Sequence, residues 1–345
     1  MKEDRKNRLV SVLEGKASWP PPVWLMRQAG RYLPEYRALR AKAGSFWGMC
    51  MDPAMAAEVT LQPIRRFGLD GAILFSDILV VPFALGRKVE FEEGVGPSMD
   101  SVSDADGLER DEAVWSQRLA PVYETLGLVR GGLDAGTALL GFAGAPWTLA
   151  TYMVEGRGST DQQAAKRWAY RDPEGFSRLI DVLVDCMSFH LIRQLEAGAD
   201  AVQIFDSWAG GLPEAQFARW VIAPTKRIVG RVRAAKPNAK IIGFPRAATL
   251  AGYELYARET GVNAISVDTA APLQFMRRMA DGGITVQGNL DPQVLVVGGE
   301  ALDDSIDAIL AAMKGAPFIV NLGHGVLPET PPEHVGRLVA RVRGQ

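Results

Sequence analysis

Four arginines, Arg27, Arg31, Arg37 and Arg40, fall within fourteen consecutive positions of PPVWLMRQAGRYLPEYRALR (residues 21–40), and only Glu35 opposes them. A guanidinium stays charged at any ordinary pH and presents its donors in a fixed fork that fits a carboxylate or phosphate. A cluster of them is either a solvated basic helix face or a pocket for a small molecule with several anionic groups. Position favours the pocket. Arg27 directly follows the apolar run Val23-Trp24-Leu25-Met26, so it is expected at the C-terminal end of a strand rather than on a free helix.

The elements that must hold such a cluster are legible as short apolar runs at 23–28, 72–76, 138–142, 201–205, 240–244, 264–267, 285–288 and 318–321. Most are continuous rather than alternating, as strands buried on both faces are. Between them lie segments with apolar residues at i, i+3, i+4 that end at Gly or before Pro or Gly. Eight strands alternating with helices predict a parallel α/β fold, and eight is the number that closes a (β/α)8 TIM barrel. A doubly wound open sheet is the competitor, but no GxGxxG follows the first strand and no GxxxxGK[ST] occurs. A barrel needs about 250 residues. The surplus is an N-terminal extension and an insertion after the second strand, residues 82–137, with a hairpin-like stretch, an acidic segment and a helix. Residues 1–345 are read as one domain, with no repeat and no linker.

Composition narrows the partners. The net charge of −2 offers no global field for nucleic acid or a membrane surface, so anion binding must be local. Cys50 and Cys186 are too few and too far apart for a disulfide framework or a CxxC metal site, which fits a reducing, cytoplasmic setting. The N-terminal stretch mixes both charges without an apolar core, and no window of 18 apolar residues occurs, so neither a signal peptide nor a membrane span is expected.

Barrel enzymes carry their chemistry at the C-terminal ends of the strands. Those ends read Arg27; Asp77; Gly144 with Pro146; Asp206 and Ser207; Pro245 and Arg246; Asp268; Asn289 and Asp291; and His324. Asp, Ser and Asn before helices also serve as N-caps. Asp291, ahead of Pro292, is expected to be one, and Asp268 is read equally as cap or catalyst. Asp77 has apolar neighbours on both sides and is expected either to pair with a cation such as Arg27 or to shift in pKa. Of the three histidines, His190 and His334 lie in helices and are read as structural or surface; His324 sits in a Gly-flanked loop and is the functional candidate. No lysine or cysteine falls at a strand end, which disfavours Schiff-base chemistry and a Cys/His zinc site.

Four strings carry a resemblance: PVWLMRQAGRYLPEYR (22–37), GFAGAPWTLATYMVEG (141–156), IFDSWAG (204–210) and GHGVLPETPPEHV (323–335). In order and spacing they resemble the signatures of the uroporphyrinogen decarboxylase family of haem biosynthesis, from about residue 7 to the C-terminus. Residues 243–249, GFPRAAT, depart from the Phe-x-Lys-Gly pattern expected there. The resemblance implies a (β/α)8 homodimer whose active-site clefts face each other, with no metal and no organic cofactor. It implies a cyclic tetrapyrrole substrate whose four acetates become methyls. Its substrate-site positions fall on Arg27, Arg31, Arg40, Asp77, Tyr152, Ser207 and His324, with Asp77, Arg27 and Tyr152 in the catalytic roles. Tyr152 is reached only through the resemblance. Arg37 is expected to face solvent. The alternatives are a zinc-dependent methyltransferase of the same superfamily and a non-catalytic tetrapyrrole carrier.

Overall fold

A computed structural model describes residues 7–92, 96–159 and 161–345. The first six residues and the turn of the expected hairpin therefore lie outside the described residues. The parallel strands are β1 (Gly71–Ile73), β4 (Ala138–Gly144), β5 (Ala201–Asp206), β6 (Lys240–Pro245), β7 (Ala264–Ser266), β8 (Thr285–Leu290) and β9 (Phe318–Leu322), hydrogen-bonded in that order. The other two, β2 (Val89–Glu92) and β3 (Gly96–Met99), form an antiparallel ribbon inside the insertion.

The expected first strand is corrected. Only Val23 makes a β-bridge, to Val320 of β9. Residues 22–24 nevertheless touch both edges of the sheet: Trp24 N–H donates to Val320 O (3.3 Å), Val320 N–H to Pro22 O (2.9 Å), and Asp70 N–H to Val23 O (2.8 Å). The chain leaves extended geometry immediately afterwards because Gln28 N–H turns back to Leu25 O (3.1 Å). The strand expected at 72–76 likewise ends at Ile73, although Leu74 N–H still reaches Leu140 O (2.9 Å). The result is a barrel-like α/β fold whose two sheet edges meet across a short extended segment.

Helices cover the outside. Pro53–Phe67, Glu112–Gly132, Pro173–Glu196 and Ala223–Ala235 pack side by side, and Pro332–Arg343 returns against Pro53–Phe67. Each boundary has a local cause. Asp52, Asp111 and Asp172 accept backbone N–H groups at three of the starts, and Gly68 takes a left-handed conformation at the first stop. The helix that begins at Glu214 and ends at Ala235 is interrupted by a π-helical turn at Ala218–Ile222 ahead of Pro224.

The inside of the barrel is a separate apolar cluster. Helix Arg8–Leu13 presses Leu9, Val12 and Leu13 against Trp24, Ile73, Leu140 and Ile242, closing the end opposite the candidate site. Thr285 Oγ1 donates to Val12 O (2.7 Å), and Lys240 pairs with Glu14 (3.4 Å). Above this lies a buried polar layer. Trp24 Nε1 donates to Gln287 Oε1 (2.9 Å), and Gln287 Nε2 donates to Gln203 Oε1 (3.0 Å) and Ser266 Oγ (3.1 Å). Gln287 therefore ties four staves of the ring together. Its replacement by Leu orphans the Trp24 N–H in a dry interior and is expected to cost roughly 2–3 kcal/mol. A urea midpoint unchanged in Gln287→Leu would show that the layer is only filler.

Candidate active site

Arg27 sits not on a strand but on a tight turn, at φ 59°. A non-glycine residue in that region is strained by about 1–2 kcal/mol, and the surrounding bonds impose it. Gln28, fully buried, accepts Leu25 N–H through Oε1 (3.0 Å) and donates from Nε2 to Gly71 O (3.0 Å). Tyr32 Oη donates to Gln28 O (2.7 Å), and Met26 N–H donates to Asn321 Oδ1 (3.0 Å). Gly325 packs flush on the Arg27 stem; a Cβ there would lie 2.3 Å from Arg27 Cδ. Arg37, expected to face solvent only, also braces this turn, donating to Arg31 O (2.7 Å) and Tyr32 O (3.1 Å). Glu35, the one acid among the arginines, is turned away to Arg66 (3.1 Å).

The Arg27 guanidinium reaches solvent but stands within a concave mouth. Crowding by protein lowers its pKa, the charges of Asp77 and Tyr152 raise it, and Arg246 and Arg31 lower it. Those five groups therefore share one site. Asp77 lies on the loop after β1, half-buried, with Leu79 N–H donating to its Oδ1 (2.9 Å). Burial pushes its carboxyl up to about 6, against the pull of the Leu79 N–H and of Arg27. Gly144 makes room for this loop, since a Cβ there would meet Ile78 at 2.9 Å. Arg40 stands behind, where both it and Asp77 act on the buried Cys50 thiol.

Tyr152, on helix Pro146–Glu155, packs edge-on to Trp208 (ring centroids 6.0 Å). Burial raises its phenol pKa and Asp77 raises it further. Ser207 follows β5 between Asp206 and Trp208, and among the described residues its hydroxyl makes no hydrogen bond. Asp206 itself points to the helix layer. It is fully buried, accepts Thr148 Oγ1 (2.5 Å), and is pushed up to about 7 by desolvation. His324 accepts Gly325 N–H at Nδ1 (2.6 Å), so the neutral ring carries its proton on Nε2. Burial first, then Arg27 and Arg246, push its pKa down to about 4. It meets neutral conditions as a neutral donor.

Arg27, Asp77, Tyr152 and His324 are thus brought together, with Arg31 beside Arg27, Ser207 at the rim and Arg40 outermost. Three further strand-end residues, Asp291, Asp268 and Asn289, bond local backbone. Asp291 caps Pro292–Val297 through Gln293 N–H (2.8 Å). Asp268 accepts Ala247 N–H (2.6 Å), Ala270 N–H (3.0 Å) and Tyr253 Oη (3.0 Å). Asn289 donates to Asp268 O (3.0 Å) and Ala271 O (2.8 Å). His190 is buried beside Tyr123 (3.1 Å), and His334 Nδ1 bonds Leu295 O (2.9 Å). Sequence reasoning named Arg246 as a strand end but left it out of the site, and it missed Trp208 and Gln28. The alternation Gln203, Phe205 into the barrel and Ile204, Asp206 out of it was the signal that separates Asp206 from Ser207.

Among the described residues no group of three His, Cys, Asp or Glu side chains could hold a metal, and no helix is long and apolar enough to cross a membrane. The family model described as uroporphyrinogen decarboxylase (URO-D) matches residues 4–345. A uroporphyrinogen decarboxylase from Rhizorhabdus wittichii is 55% identical over 338 residues, covering 97% of each chain. Those of a Chelativorans species and of Brucella canis are each 53% identical and cover 98% of each chain. Among solved structures, a methyltransferase from Methanosarcina mazei superposes with a TM-score of 0.82 over 99% of each chain at 19% identity, a likeness of fold alone.

A stability measurement tests the electrostatics of Asp77 without any ligand. Its folded pKa of about 6 lies above the ordinary 3.8. The folded chain therefore holds a proton that the unfolded chain has lost across that window, and stability falls as pH rises through it. Asp77→Asn is expected to be more stable than the parent at pH 7, by roughly 2–3 kcal/mol, with the difference vanishing below about pH 3. A parent and variant of equal stability at pH 7 would remove the desolvation argument.

Proposed function

The chain belongs to the uroporphyrinogen decarboxylase family, and from that membership we propose how its mouth residues divide the work. It is a carboxy-lyase acting on uroporphyrinogen, removing CO2 from four acetate side chains to leave methyls and coproporphyrinogen. The observation that carries the assignment of roles is the buried Asp77 carboxylate, which shares the mouth with the Arg27 guanidinium and the Tyr152 phenol.

Loss of CO2 leaves an electron pair on carbon, and the substrate can accept it. A proton added to a pyrrole α-carbon makes the ring cationic. The acetate C–C bond then breaks, CO2 leaves, and the pair flows into the ring as an exocyclic methylene. A second proton makes the methyl, and loss of the first from the α-carbon restores the pyrrole. Asp77, ionised at neutral pH, binds the pyrrole N–H groups at the macrocycle centre and offsets the developing positive charge. Arg27 and Arg31 anchor carboxylates, with Arg40 further out; such charge-assisted bonds are worth about 1.5–3 kcal/mol each. Tyr152 and Ser207 hydrogen-bond the reacting acetate, and His324 donates from Nε2 to a neighbouring propionate. The proton comes either from Arg27 or from an ordered water.

The same reading takes the ring as a single (β/α)8 domain with residues 22–24 as its shortest stave. It gives a cytoplasmic homodimer with facing clefts in tetrapyrrole biosynthesis, needing neither metal nor organic cofactor. A zinc methyltransferase is the less supported reading, since Cys50 and Cys186 are both buried within helices. A metal assay on the purified protein separates it.

Anaerobic incubation with uroporphyrinogen III, followed by chromatography, is expected to yield products with fewer carboxyls; none at all would leave only a carrier. Asp77→Asn is expected to fold and lose at least about 100-fold in kcat. In the parent, kcat/KM is expected to fall on acidification through about pH 6, as Asp77 takes up its proton. Arg27→Lys keeps charge but not the fork, and is expected to lose about 10-fold or more. Parent-like rates in either variant remove that residue from the mechanism.

A further inference from the structure

The segment after β6 presents a charge that the division of roles above leaves unused. Ile242 and Phe244 of β6 point into the barrel, and the same alternation brings residue 246 to the inner side of the mouth. The backbone N–H groups of residues 246–248 are all bonded. Arg246 N–H reaches Asp206 O (3.1 Å) and Phe244 O (3.0 Å), and Ala248 N–H reaches Pro245 O (3.2 Å). Between them Ala247 is held at φ 60°, a conformation that L side chains rarely adopt. Asp268 Oδ2 imposes it by accepting Ala247 N–H (2.6 Å), and is itself fixed by Tyr253 Oη (3.0 Å). Strained backbone held by buried bonds marks a side chain whose direction is specified.

That side chain is half-buried, and among the described residues it makes no hydrogen bond or ion pair. It lies near enough to Arg27 and His324 for its charge to disfavour the protonated form of both. A guanidinium without a partner beside two further cationic or donor groups is suited to an incoming anion.

We infer that Arg246 is a further specificity-determining residue that binds a peripheral carboxylate of the substrate, and that Asp268 is its positioning residue, acting through the Ala247 backbone. The inference rests on the decarboxylase reading. A peripheral contact is made equally in the ground state and the transition state, so it lowers KM and leaves kcat alone.

Anaerobic kinetics with uroporphyrinogen III test it in Arg246→Gln, Arg246→Lys and Asp268→Asn, beside NMR titration of the His324 ring in the free protein. Arg246→Gln is expected to raise KM about 10-fold or more with kcat within about twofold of the parent. Arg246→Lys recovers part of the loss. Asp268→Asn raises KM in the same direction although Arg246 is intact; Tyr253→Phe, which removes one bond to Asp268, repeats the test should Asp268→Asn fold poorly. The charged groups facing His324 are Arg27, Arg246 and Asp268, so its midpoint is expected to rise from about 4 in Arg246→Gln. A KM within twofold of the parent, a fall in kcat at unchanged KM, or an unmoved His324 midpoint each overturns the inference. A parent that turns over no uroporphyrinogen III instead removes the decarboxylase reading, and the His324 titration still reports whether Arg246 faces the mouth.

Discussion

One constraint governs this molecule: the left-handed turn at Arg27 must be held against its own strain. The amide of Gln28 spans from Leu25 N–H to Gly71 O. Asn321 fixes Met26 from the other side, and Gly325, with no Cβ, leaves the space that the Arg27 stem fills. These bonds come from the three places where the sheet edges meet. The closure of the barrel and the aim of its most central guanidinium are therefore the same event. Were residues 22–28 an ordinary strand, Arg27 would be directed by alternation alone.

The site works by setting one anion against several cations in a mouth partly closed to water. Burial alone would make Asp77 neutral and Arg27 weaker as a cation, and each reduces that cost for the other. His324 is handled in the opposite way. Burial and two arginines hold it neutral, and Gly325 N–H assigns its tautomer, so it can donate without adding to the positive charge. In the mechanism proposed above, the arginines attract a polycarboxylate, the neutral donors sort it, and its cationic intermediate meets Asp77.

Much of this was legible beforehand because buried parallel strands are written as continuous apolar runs. Seven of the eight runs became strands of the sheet. The eighth, at 23–28, misled because Trp24, Leu25 and Met26 are apolar for packing reasons, while the Gln28 amide that breaks the strand looks in sequence like any other polar residue. Strand-end position found Arg27, Asp77, Ser207 and His324, but it could not separate Asp268 and Asn289, which brace loops, from residues that face the mouth. That distinction depends on which backbone N–H groups lack partners, a property of the assembled chain. Tyr152, inside a helix with no polar pattern, was visible only through family resemblance. Ala247 is a similar case: nothing in its side chain announces a left-handed backbone, although the resemblance placed a glycine there.

The meeting of the sheet edges also orders events in time. Met26 is bonded to a residue 295 positions later, so on a ribosome the residues made first cannot adopt their working arrangement until nearly the last have emerged. Bringing such distant partners together carries a loop-closure entropy that local contacts cannot offset in advance. Until Asn321 is present, Met26 N–H lacks the partner that holds the arginine segment in its turn. A chain stalled short of β9 carries Arg27, Asp77 and Tyr152 but neither Asn321, which bonds Met26, nor Gly325, which packs on the Arg27 stem.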